Sequence, residues 1–251
     1  MRSLPFLGAA SLSLISAGLG LASPGTAIRD IIKKEDSAAH EKMWALLEVK
    51  PLPKVPGNPI LRIWDERGSV TFSTSKAAVT IRVVQGDGDV WFSYINSGIH
   101  EPFVRPPNAL ALLKTKATEF TYPDEAFADD IRYLISQYPL FDSASRGADG
   151  WTTFFDVRDA DGKFSTFEVW SPDDTKAPIP AEICEIFQVI RFLVTTVNCT
   201  DAEWKRFQKS NFTTRFPELT GINLNREKAR TYLDEVFKRR LQNFVGELRR
   251  R

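Results

Sequence analysis

The chain has 251 residues, 43% apolar and 26% charged, with 33 basic and 32 acidic side chains. That composition belongs to a folded globular protein, and its near-zero balance gives no electrostatic case for nucleic acid. The two histidines, His40 and His100, stand far apart in sequence and neither lies in a His-x-x-x-His or Cys-x-x-Cys setting, which argues against a metal centre.

Behind Met1-Arg2, residues Ser3 to Ile28 carry no charged side chain, and the apolar run Leu4 to Ala22 closes on small residues. One arginine, an apolar stretch and a small-residue exit predict a secretory signal peptide over residues 1–27, cut after Ala22 or Ala27. Its loss leaves 224 residues with 32 basic and 32 acidic side chains, in a secreted or periplasmic protein. Retained, about 18 apolar residues just span a bilayer, so a membrane enters only if the segment stays.

Residues 28–59 read as an extension. Ile31, Ile32, Met43, Trp44 and Leu47 suggest a modestly amphipathic helix to Glu48, and four prolines between Lys50 and Pro59 make a stiff tether. A single domain is expected over 60–251. It opens with period-two alternation: Leu61 and Ile63, then Val70 and Phe72, face one way, and Arg62, Ser69, Thr71 and Ser73 the other, about a turn at Asp65-Glu66-Arg67-Gly68. Val79, Ile81 and Val83 make a third strand, and Gly86-Asp87-Gly88 turns it into a fourth, Val90 to Ile95.

Helices are predicted from Pro106-Pro107 to Lys116, and from Asp124 to Tyr138 with Phe127, Ile131, Leu134 and Ile135 on its core side. A hairpin follows, Trp151–Val157 and Lys163–Trp170, about a four-residue turn at Asp159-Ala160-Asp161-Gly162. The helix near 181–197 is polar only along Glu182, Glu185, Gln188, Arg191 and Thr195, so it is expected to be buried. Asp201 and Asn225 each cap a further helix. The last helix puts Leu233, Phe237, Leu241, Phe244 and Leu248 on one side, and nine basic against four acidic residues give 225–251 a net charge of +5.

Chemical motifs are sparse. With Val157 at its first position, the loop through Asp159, Asp161, Gly162 and Glu168 imitates a calcium-binding EF-hand loop, but it lacks the first carboxylate and its flanks alternate like strands. A tight turn accounts for the same residues. Ser73-Thr74-Ser75-Lys76 matches Ser-x-x-Lys, yet it ends a strand, where the catalytic version begins a helix. Cys184 and Cys199 bracket one helix, about 22 Å apart at 1.5 Å per residue, too far for a bridge, so both thiols are expected free. Asn198-Cys199-Thr200 and Asn211-Phe212-Thr213 are sequons. No cofactor motif occurs.

The four-residue turn places Trp151 opposite Trp170, with Thr153, Phe155, Thr166 and Glu168 on the same strand face and Asp156 on the other. Trp151, Trp170 and Glu168 are therefore the candidate ligand-binding residues, two indoles and a carboxylate suited to a sugar ring or a partner's side chain. The expected fold class is α+β: an antiparallel meander plus a second β-hairpin packed against a buried helix, with peripheral N- and C-terminal helices. The expected function is a non-catalytic exported binding or interaction module for a protein or carbohydrate partner. Alternatives are an exported hydrolase using carboxylates, with Asp156 and Glu168 the first suspects, and a membrane-tethered assembly component.

Overall fold

A computed structural model describes residues 37–49, 52–54, 57–88, 90–91, 94, 108–142, 152–170, 178–209 and 225–251. The leader and Trp151 lie outside these residues. The chain divides after Ala38, and the fold below is that of the second unit, Ala39–Arg251.

Six antiparallel strands form one sheet in the order β4-β3-β2-β1-β5-β6. They are β1 (Ile60–Asp65), β2 (Gly68–Thr74), β3 (Val79–Asp87), β4 (Lys114–Tyr122), β5 (Thr152–Arg158) and β6 (Phe164–Trp170). The helices are α1 (37–46), α2 (Ala109–Leu112), α3 (Glu125–Ser136), α4 (Pro178–Asn198), α5 (Asp201–Lys209) and α6 (Arg226–Leu248). A meander joined to a hairpin, with helices alongside, is the expected α+β class. No helix among the described residues is long and apolar enough to cross a membrane.

Alternation decides which face of the sheet is buried. Ile63 lies between Val70 and Phe155, and Leu61 between Phe72 and Val157. These side chains form the inner face and meet Ile131 of α3, Ile183 and Phe187 of α4, and Phe237 and Leu241 of α6 in one core. The α4 helix is buried as its composition demands, and its one arginine turns inward. Arg191 is 9% exposed and grips both carboxylate oxygens of Asp65 at 3.0 and 2.7 Å. Asp65 also accepts from the backbone N–H groups of Arg67 and Gly68, so one side chain shapes the β1–β2 turn and ties it to α4. Asp124 and Asn225 cap α3 and α6 by accepting from Phe127 N and Lys228 N. Although α6 ends the chain, it contributes eight buried residues, from Ala229 to Leu248, to the inner core and is not a peripheral element.

Two elements differ from expectation. Val90, Trp91 and Tyr94 are helical rather than a fourth strand. The strand beside β3 is β4, which takes the end of the expected 107–116 helix and leaves only α2 of it. β4 pairs with all nine residues of β3, from Val79↔Tyr122 to Asp87↔Lys114. Its sequence, Lys-Thr-Lys-Ala-Thr-Glu-Phe-Thr-Tyr, has threonines suited to a strand, but an edge position leaves most of it solvated and weakens the apolar alternation. Trp91 instead lies over Gly86, where a Cβ would come within 2.1 Å of the indole. That ring joins Ala39, Met43, Leu47, Val84, Tyr94, Ala109 and Leu113 in a second cluster. Residues 39–49, read as part of the extension, are thus packed against the sheet.

The β5–β6 turn holds as a turn: Asp159 accepts from Lys163 N at 2.8 Å, and Gly162 has φ +81. Neither Cys184 nor Cys199 is in a disulfide.

Candidate outer-face binding site

The face of the sheet opposite the core is built from the even-numbered residues of β1 and β5. The pairing register runs Thr166–Asp156–Arg62–Thr71–Arg82–Glu119 across all six strands. At its centre Arg62 and Asp156 are 5% and 3% exposed. Asp156 Oδ2 accepts from Arg62 Nε at 2.9 Å, from Arg62 Nη2, and from Trp64 Nε1 at 2.9 Å. Its Oδ1 accepts from the Thr166 hydroxyl at 2.8 Å. A carboxylate oxygen offers about two acceptor positions, so Oδ2 is filled and Oδ1 keeps one, on a side chain that is only 3% exposed and poorly placed to reach a substrate's proton.

The backbone at Leu47, Glu48 and Leu52, the strap, lies against this row. Sheet side chains hold its backbone carbonyls: Ser69 donates to Leu47 O at 2.7 Å, Arg62 to Glu48 O at 2.9 Å, and Arg158 twice to Leu52 O, at 3.1 and 2.9 Å. Glu48 ends α1 at φ +60, a left-handed conformation that a non-glycine residue adopts at a cost. The turn aims its carbonyl at Arg62 and its carboxylate at Arg82, which it meets twice, at 2.8 and 2.6 Å.

Beside the strap runs an aromatic strip. Trp64 stacks on Phe154 with centroids 4.2 Å apart and planes 15° from parallel. Trp44 of α1 meets Trp64 edge-on at 6.1 Å, and His40 lies 6.3 Å from Trp44. Trp44 is 41% exposed, and Phe164, with the Arg158 guanidinium 5.3 Å from its ring centre, is 40% exposed. Glu168 is exposed and lies opposite Phe154 in the β5–β6 register. Apolar ring faces beside a carboxylate suit a flat, partly polar ligand surface.

The hairpin register corrects the expected pairing. The loop has five residues, 159–163, so Trp170 lies opposite Thr152 and not Trp151. One residue of slip exchanges the faces. Glu168 and Thr166 therefore share a face with Asp156 and Phe154, while Thr153 and Phe155 turn to the core. Trp170 is described in its backbone alone. The indoles that the structure does bring together near Glu168 are Trp64 and Trp44. Arg62 and Trp64 carried a signal, both standing at even positions of an otherwise apolar strand; Trp44 carried none, because nothing local places α1 on the sheet.

No family model, no curated protein and no solved structure matches this chain.

Proposed function

We propose that the chain is an exported, non-catalytic binding module that captures a protein or carbohydrate partner on the outer-face strip of Trp44, Trp64 and Phe154, with Glu168 beside it. The observation that carries this reading is Trp44: a large indole left 41% exposed, continuous with a buried aromatic stack. Exposed aromatic surface of this kind marks interaction sites. The burial of Asp156, and its bonds to Arg62, Trp64 and Thr166, weigh against a hydrolase that pairs it with Glu168, even though the two share a face.

Tryptophan fluorescence titrated with soluble β-1,4-linked oligosaccharides, and in parallel with peptide pools, tests the reading. We expect saturable quenching that Trp44→Ala removes while circular dichroism stays that of the parent. Capture that survives Trp44→Ala rules the strip out. Export has its own readout: the secreted chain should begin at Ser23 or Ile28, and a cytosolic chain still carrying Met1 counts against it.

A further inference from the structure

In three places among the described residues the fold sets a carboxylate beside an aromatic ring and lays its own cation across both. Arg191 lies 4.5 Å from the centre of the Phe187 ring and grips Asp65. Arg249 lies 4.9 Å from the centre of the Tyr133 ring and 3.0 Å from Asp130. Lys238 does the same with Tyr122, at 4.5 Å, and Asp234, at 3.0 Å. A cation so placed is attracted by the negative face of the ring and by the carboxylate together.

Another ring and carboxylate meet on the outer face. Trp64, Phe154 and Glu168 are successive partners in one cross-strand row. Neighbouring strands lie about 4.8 Å apart, so the 4.2 Å stack of Trp64 on Phe154 runs along that row, and Phe154 turns its other ring face toward Glu168. Glu168 is exposed, and no lysine or arginine among the described residues pairs with it. The other charges on the strands of this face are engaged. Arg62 is met by Asp156, and Arg82 by Glu48 and Glu119. Arg158 is buried and donates to the carbonyls of Leu52 and Gly162. It stands four residues along β5 from Phe154, about 13 Å, beyond the screening length of about 8 Å at physiological salt. At the Trp44 end of the strip His40 faces Glu66 at 3.8 Å.

We infer that the outer-face strip takes an arginine side chain of a protein partner, its guanidinium continuing the stack beyond Phe154 and its N–H groups meeting Glu168. The inference rests on the strip being the binding surface, and it selects a basic protein segment over a sugar. Charge complementarity carries it: the strip ends on an unpaired carboxylate beside a ring face, the two groups that this fold elsewhere joins through a cation. Shape favours arginine over lysine, since a planar guanidinium stacks on a ring and offers a carboxylate two parallel N–H bonds. Thr166, next to Glu168 on this face of β6, gives its proton to Asp156 and keeps oxygen lone pairs for a further N–H.

The test uses the full chain, tryptophan fluorescence and two blocked octapeptide pools that differ at one fixed central residue, arginine or its uncharged isostere citrulline. The arginine pool should quench saturably. Citrulline should weaken binding about tenfold or more, the loss of a charge-assisted hydrogen bond, and the arginine advantage should shrink as salt rises. A pool with central lysine should fall between the two. Glu168 is exposed, so Glu168→Gln should keep the fold, by circular dichroism, and bring the arginine and citrulline pools to equal affinity. Trp44→Ala should remove the binding of both. Binding of a β-1,4-linked oligosaccharide or of the citrulline pool as tight as that of the arginine pool, and lost in Trp44→Ala, overturns this inference and leaves the strip as the binding surface. An arginine preference that survives Glu168→Gln overturns it as well. With no Trp44-dependent binding of any probe, both readings fall.

Discussion

The two faces of this sheet are held to their neighbours by different forces. The inner face is an apolar layer under α3, α4 and α6, in which Leu61, Ile63, Phe155 and Phe237 are at most 1% exposed. It is stabilised in proportion to the area it removes from water and tolerates small shifts of its helices. The outer face meets α1 through the small apolar cluster of Met43, Leu47, Val84 and Trp91, and meets the strap through directed bonds, from Arg62, Ser69 and Arg158 to backbone carbonyls and from Arg82 to Glu48. Such contacts add little net stability but fix register. Burial builds the domain, and the polar row decides where the strap lies and hence where Trp44 is displayed.

The contrast can be broken most severely from the inside. Phe155→Ala, at a fully buried position touching Phe141, should cost about 3–5 kcal/mol in chemical denaturation. Next comes Asp156→Ala, which strands a buried guanidinium and should cost about 3 kcal/mol or more. Adding Arg62→Met to that variant should recover much of the loss, because no unpaired charge then remains. If the double variant is as unstable as the sum of its parts, the two side chains are not coupled and the stranded-charge account fails. Ser69→Ala leaves Leu47 O without its donor and should cost about 1 kcal/mol, with faster amide exchange confined to the strap. Smallest is Arg82→Ala: its pair with Glu48 is half-exposed, so the change should stay under about 1 kcal/mol and shrink further in high salt. A larger, salt-resistant effect would place Arg82 in the same buried network as Arg62.

Where an element buries one clear stripe, local pattern was enough to place it. The α3 stripe with Asp124 at its start, the Asn225 cap of α6, the apolar α4 and the first three strands were all legible, whereas the cap expected at Asp201 belongs to Thr200, whose hydroxyl accepts from Glu203 N at 3.3 Å. β4 was not legible, since an edge strand of threonines and charges is half-solvated and loses the alternation that would mark it. Residues 90–94 had the composition of a strand, but the close approach of Trp91 to Gly86 is a contact that neither residue signals alone.

By itself the sequence determined the α+β class, the face of β1, β2 and β3 that turns to the core, the Asn225-capped helix and the absence of a bridge between the two cysteines, since these follow from spacing along the chain. Only the tertiary structure decided the candidate site. The five-residue turn moved Glu168 to the face of Asp156 and Phe154, and docking of α1 brought Trp44 to Trp64. The physical reason is the two-residue period of a strand: a one-residue change in a loop exchanges every side chain's face, and loop length is set by hydrogen bonds such as Asp159 to Lys163 that no periodicity records.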